Sequence, residues 1–391
     1  MNKARCFVKE KKLILYILLC IAIVGIIFVG SRAYTISKEK AAAPLYSAEV
    51  IDVMAVSENA TAGNLYEVHF RFKDGPRAGE KEMMMHRTMN QPDFDIYPKA
   101  GDNILVIDAG NGGYAISDYE RLPGVVWIFA LFVFLLMLLG RKTGIRSLLV
   151  LGIAIFLIIK VLIPLILQYH HAIIFSTILV SSVIVLITQF MINGFNAKSY
   201  GAIIGTIGGI LVASFLAMLA IHSIFLTGFE NEFSTMLKIR YLKDVDFKDI
   251  LFAGVILGAL GAVMDVAISI ASAQYEMKQL APKTNFVELF TSGMNIGKDV
   301  MGTMANTLVL AYMGSSLPLI LLISSQPELS MANTLNANMI VTEITRSLIG
   351  TIGLLVAIPL TAFATAFLLS KKSKRLRRRT LRTEKTISQG T

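Results

Sequence analysis

Cysteine is nearly absent: the 391 residues hold only Cys6, ahead of the first apolar run, and Cys20 inside it. No disulfide can therefore staple an outer domain, and no thiolate site can hold a metal. Charge is scarce as well, at 16% of residues against 54% hydrophobic, with a mean hydropathy of +0.64. A chain this apolar is not a soluble protein. Enzyme signatures are missing too: there is no His-Glu-x-x-His, no Gly-x-Ser-x-Gly and no phosphate loop. Asp265 and Asp299 lack the Tyr-Asp and Gly-x-Gly-Asp settings of intramembrane aspartyl proteases. The chain reads as a non-enzyme without a cofactor. Its net charge of +10 does not signal nucleic acid, because nine basic residues are packed into Lys371–Lys385, directly after the last apolar run. A membrane protein keeps its cytoplasmic lysines and arginines there.

What the sequence does have is a series of apolar runs long enough to span a bilayer, for which roughly 20 residues suffice. Eight spans are expected, near 13–30, 124–140, 147–167, 171–192, 201–226, 250–273, 302–323 and 343–369. The first follows five basic residues and runs 18 residues, which favours an uncleaved signal anchor over a cleaved signal peptide. Counting Lys and Arg with the N-terminus inside gives 21 on the inner side and 14 on the outer. Short loops and the tail decide orientation, so both termini should be cytoplasmic. The expected architecture is a polytopic α-helical protein of the bacterial plasma membrane. It comprises a cytoplasmic N-terminus (1–12), a signal anchor (13–30), an extracytoplasmic β-domain (31–122), a seven-helix membrane domain (123–369) and a basic cytoplasmic tail (370–391). The tail can rest on anionic lipid headgroups.

Within the outer segment, alternation predicts strands near 47–57, 64–73, 80–87, 103–108 and 114–118, punctuated by turn residues such as Asp74-Gly75-Pro76. Five short strands suggest a small OB- or SH3-like barrel, a fold that does not by itself name a ligand. Met83, Met84, Met85, His86 and Met89 are soft donors, but strand alternation leaves only Met83 and Met85 on a shared face. The adjacent His170 and His171 read as polar caps. Neither cluster is taken as a metal site.

Asp265 is the residue that an apolar helix does not explain. It lies near the middle of Ile250–Ala273, where a charged carboxylate costs about 3 kcal/mol or more. It needs a partner, a proton or a watered path. Gly254, Gly258, Gly261, Asp265, Ser269 and Ser272 recur at three- and four-residue steps and share one helix face. Glycines there let a neighbouring helix approach closely, as small-xxx-small spacing does. The simpler role for Asp265 is a hydrogen-bonding post between helices; the functional one is carriage of a proton or cation. On the next span, Asp299, Thr303 and Asn306 share a face that could meet Asp265, although Asp299 alone suits a helix-start acid. Arg346 pairs with Glu343 three residues earlier or, with an earlier helix entry, serves as counter-charge to a carboxylate in the bundle. Lys160, just before Pro164, reads as a snorkelling lysine. Gly201, Gly205 and Gly209 form overlapping GxxxG spacings, which predict close packing without naming the partner helix.

The run Gly258-Ala-Leu-Gly261-Ala-Val-Met-Asp265-Val-Ala-Ile-Ser269-Ile-Ala-Ser272, followed by Gly297-Lys-Asp299-Val-Met-Gly302-Thr303-Met-Ala-Asn306, resembles the YibE/F family of bacterial membrane proteins. The Ser117-Asp118-Tyr119-Glu120-Arg121 junction before the second span fits as well. The resemblance implies a multi-pass bacterial membrane protein and supplies no activity. A weaker, local similarity is to one membrane half of the SecD/SecF and RND-type proton-driven proteins, carried by Met264-Asp265-Val266-Ala267 and Asn306-Thr307-Leu308. That analogy implies a second half, from a second copy or a second YibE/F-type subunit. The expected function is a proton- or ion-coupled transporter or translocation accessory using Asp265, with Ser269, Ser272, Thr303 and Asn306 as polar neighbours. The alternative is a non-transporting organiser that anchors the outer domain to a partner.

Overall fold

A computed structural model describes residues 45–57, 63–89, 91, 95–109, 113–229, 232–325 and 331–388. The expected first span and both cysteines lie outside the described residues. The described residues fall into two units, one within Ile36–Gly144 and one within Ile145–Thr391.

The first unit carries β1 (Leu45–Ser57), β2 (Leu65–Phe72), β3 (Lys81–Arg87), β4 (Asn103–Asp108) and β5 (Tyr114–Tyr119). They form one antiparallel sheet in the order β3-β2-β1-β4-β5, with register shifts in the long central β1. Alternation decides what is buried: Val68, Phe70 and Phe72 of β2 enter the core with Ala48, Val50, Met84, Ile104 and Val106. Met84 turns inward while Met83 and Met85 are exposed, so the methionine run does not converge. Phe70, Phe72 and Tyr114 meet edge to face, with centroids 5.1 Å apart for the first pair and 5.2 Å for Phe72–Tyr114. Arg77, in the β2–β3 turn, donates to Glu80 at 2.6 Å, to Glu82 and to the Tyr114 hydroxyl at 2.8 Å. The turn itself needs Gly75, whose φ is +80° and whose missing side chain leaves room for the Tyr46 ring.

Two carboxylates of this unit are tuned by donors. The Asp95 carboxyl is held below its ordinary range, first by the Met89 amide and then by the Gln91 amide, each at 2.8 Å. Asp118 is lowered first by Arg121 at 2.5 Å and next by the Tyr119 amide. A depressed folded-state value makes the contribution full above the unfolded pKa of about 4, and it is lost as pH falls through the folded values. Hydrogen exchange of sheet amides, corrected for intrinsic pH dependence, should show protection falling below about pH 4. Asp95→Asn should lower the protection at neutral pH and flatten that acid loss.

The chain leaves β5 and enters α1 (Leu122–Arg141) and α2 (Thr143–Gln168), a continuous helical path broken by a kink at Arg141, φ 46° and ψ −124°. Within α2 a π-helical turn at Ile158–Leu162 precedes Pro164, whose missing N–H and bulky ring prevent a regular turn. Then come α3 (Ile173–Asn193), α4 (Ala197–Ser223), the short α5 (Glu232–Arg240), α6 (Phe247–Leu280), α7 (Phe286–Ser315), α8 (Leu317–Ser324), α9 (Met331–Leu335) and α10 (Asn338–Ser388). Among the described residues six helical stretches are long and apolar enough to cross a membrane: α1, α2, the stretch His170–Asn193, α4, α6 and Asn338–Lys371.

One expected element differs. The span placed at 302–323 is two helices with a break at Ser316. Its start is also much earlier, set by a capping box in which Asn285 accepts from the Glu288 amide at 2.9 Å and Glu288 returns the bond at 3.0 Å. The break follows from Pro318, which has no N–H to donate to the Gly314 carbonyl and whose ring would crowd it, so it cannot continue α7 and sits instead in the first turn of a new helix. Asp299 is therefore inside α7 and is not a helix-start acid.

The core of the second unit is the meeting of α4, α6 and α10. Gly201 and Gly205 lie against Thr365 and Thr361, and a side chain added at either would strike the α10 backbone. Gly209 is pressed by Gly353 and Ala357 of α10 and by Val263 of α6. The GxxxG spacing thus finds its partner in α10. α7 packs onto the same centre through Gly297, which touches Ile270 and Ile358, and Gly293, which touches Gln274 and Ala362.

Candidate functional site

Asp265 sits near the middle of the 34-residue α6. Its helix begins with Asp246 as N-cap, accepting from the Lys248 amide at 2.9 Å, and keeps its large residues on the buried side. Leu251, Val255, Val263, Val266 and Ile270 are buried, whereas Gly254, Gly258, Gly261, Asp265 and Ser269 form an exposed stripe. Ser272, one turn further on, is half-buried.

Little reaches the carboxylate. The Ser269 hydroxyl donates to the Asp265 carbonyl at 2.8 Å, so it bonds its own backbone rather than the side chain. Thr303 likewise donates to the Val300 carbonyl at 2.9 Å. Among the described residues no hydrogen bond or ion pair is made to the Asp265 carboxylate. α6 and α7 run antiparallel, Ile270 meeting Gly297 and Gln274 meeting Gly293, which puts Asp265 level with Gly302 and Thr303. The azimuth is different: Ile270 and Gln274 lie roughly 140° and 180° round α6 from Asp265 at 3.6 residues per turn. Asp299, Thr303 and Asn306 are exposed on α7. The structure brings these residues to the right height without turning them toward Asp265.

Arg346 goes elsewhere. Its guanidinium donates to Glu343 at 2.7 Å and stands 3.8 Å from the position of a Cβ at Gly254. Gly254 is eleven residues, about 16 Å along the helix, from Asp265. Beside it, the Tyr312 hydroxyl is seated against Gly258. The glycines that suggested a close helix thus face two side chains here, and Gly261 has nothing within 4 Å. A second polar cluster, of Tyr312, Glu343 and Arg346, therefore sits where α7 ends and α10 begins.

Gln274 escaped sequence reasoning. Fully buried on α6, it donates at 2.8 Å to the Leu289 carbonyl on α7 and at 3.0 Å to the Ala362 carbonyl on α10. One side chain thus ties three helices, and a polar residue at the end of an apolar run was the only available signal. Gln274→Leu should lower bundle stability by about 1–2 kcal/mol, since membrane hydrogen bonds contribute less than their count suggests. Thermal unfolding in detergent measures it.

His86 is held by the Ile96 carbonyl at 2.8 Å and His170 by that of Ile166 at 3.2 Å. No group of three His, Cys, Asp or Glu residues among those described is placed to hold a metal.

Comparison with known proteins adds one finding. The family described as YibE/F-like protein matches residues 128–371, a segment that holds α6, α7 and the membrane portion of α10. No curated protein and no solved structure matches the chain. With well over half its length matched and Asp265 inside the match, the chain belongs to the YibE/F-like family of proteins.

Proposed function

We propose that this protein is a proton- or ion-coupled membrane transporter or translocation accessory, not an enzyme, with Asp265 as the exchangeable site. One observation carries the reading: a mid-helix carboxylate without a partner among the described residues, on a face of glycine and serine. In hydrocarbon such a group is tolerable when it holds a proton, meets water or is covered by protein. A site that alternates between these conditions loads and releases an ion. Ser269, Ser272, Thr303 and Asn306 supply hydroxyls and an amide at or near that level, usable once another helix or a water path closes over the stripe.

The remaining parts follow the same reading. The chain crosses a bacterial plasma membrane eight times, with both termini cytoplasmic and the basic tail on anionic lipid. The sheet is an extracytoplasmic OB- or SH3-like barrel; support comes from Arg77, which reaches from the β2–β3 turn to Tyr114 on the far edge strand. A second copy, or a second YibE/F-type subunit, covers the Asp265 face. Deleting residues 44–122 separates this from an organiser that anchors the outer domain. Transport that survives the deletion but fails with Asp265→Asn supports coupling; loss with the deletion alone supports the organiser.

A further inference from the structure

The outward face of the five-stranded sheet brings together donors that lie apart in the sequence. Met83 and Met85 of β3 are about half exposed on that face, while Met84 between them enters the core. Antiparallel pairing sets His69 of β2 opposite Met83, and Glu67 opposite Met85. Opposed residues have Cβ atoms about 4.5–5.5 Å apart, and a diagonal neighbour at about 7–8 Å stays within reach of a long side chain. His69 is thus beside Met83 and diagonal to Met85, so two thioethers and an imidazole share one patch. The two methionines alone made an insufficient pair; the strand register supplies the third donor.

The imidazole is also oriented for ligation. Its Nε2 lies 2.9 Å from the Glu67 Oε1. A proton on Nε2, donated to that carboxylate, leaves the Nδ1 lone pair for a metal, as carboxylates do beside metal-binding histidines. Asp52 of β1 stands opposite His69 on the other side, and the two carboxylates favour a cation. The donor set then selects the ion. Calcium and magnesium want oxygen, and zinc prefers thiolate or several imidazoles, whereas thioethers suit a soft monovalent ion. Two of the three donors are thioethers, so the lack of a His, Cys, Asp and Glu cluster among the described residues does not bear on the site. We propose that Met83, Met85 and His69 bind Cu(I), or Ag(I) with the same coordination chemistry, on the outward face of the sheet. The site stands independently of whether Asp265 carries a proton.

The test uses the full chain in detergent, isotope-labelled at the methionine methyls, with Ag(I) as a probe of fixed oxidation state. The Met83 and Met85 signals should shift and saturate with a single ion per chain, while that of Met84 stays in place. Cu(I), held reduced by ascorbate, should be drawn from a chromogenic chelator with the same stoichiometry. Met83→Leu, Met85→Leu and His69→Phe should each weaken that binding by at least about tenfold, the loss that even a supporting residue of a metal site brings. Leucine keeps the volume and apolar character of methionine, so a face that merely docks a partner would not register the change. Met84→Leu, on the opposite face, should leave binding unaltered. Silver that shifts other methionine methyls but not these two would show adventitious thioether binding and overturn the proposal. So would Cu(I) binding that persists unweakened in folded Met83→Leu and Met85→Leu, or no transfer from the chelator at all. If the variants do not fold, the methyl titration of the unaltered chain decides.

Discussion

Asp265→Asn is expected to reduce coupled transport, or the growth phenotype that depends on it, to the level of cells lacking the protein. The fold should survive, because the carboxylate makes no hydrogen bond or ion pair among the described residues and removing its charge breaks none. If Asp265 were only a post between helices, asparagine could still bridge them, and any effect would stay within the roughly 0.6–1.7 kcal/mol measured for membrane hydrogen bonds. The two roles therefore separate in paired measurements of activity and thermal stability. Loss of activity at unchanged stability supports coupling; unchanged activity at normal expression removes it. Asp265→Glu keeps an exchangeable group and should retain part of the activity.

Gly209→Leu should be strongly damaging to the helical unit. Even the first added carbon would stand 2.6 Å from the Gly353 carbonyl oxygen, 2.9 Å from the Ala357 Cβ and 3.0 Å from a Val263 methyl. Backbone on one side and a packed valine on the other leave no rotamer that avoids both. The α4, α6 and α10 helices would have to separate, at a cost of at least about 1–3 kcal/mol. A loss of monodisperse protein on size exclusion, or a large fall in unfolding temperature, is expected. Gly152→Ala is the control: nothing lies within 4 Å of the added carbon, and alanine in a helix gains about 0.5–1 kcal/mol over glycine.

The parts of this structure that local rules govern were legible in the sequence. Alternation and the Asp74-Gly75-Pro76 turn placed the strands, because side-chain period and turn chemistry act within a few residues. The spacing of Gly201, Gly205 and Gly209 announced a close contact, but its partner, Thr361 and Thr365, lies about 160 residues later and leaves no local mark. The start of α7 was hidden by a hydropathy reading that skips the polar turns before residue 300, although Asn285 and Glu288 spell a capping box. Around Asp265 the helix face was readable from period alone. Which neighbour that face meets was not, since α7 could be placed at the right height with either azimuth. Gln274 shows the same limit: its residue type signals polarity, while its two acceptors belong to helices whose approach only packing determines.

Proton movement tests the central claim most directly. The purified chain is reconstituted into vesicles with an interior pH-sensitive dye, and a pH gradient is imposed, for wild type and Asp265→Asn at matched protein content. Flux in the wild type that Asp265→Asn abolishes, with both proteins folded and equally oriented, is the predicted result. Equal flux in the two, or none in the wild type under any gradient or candidate substrate, would contradict the claim that Asp265 carries the proton.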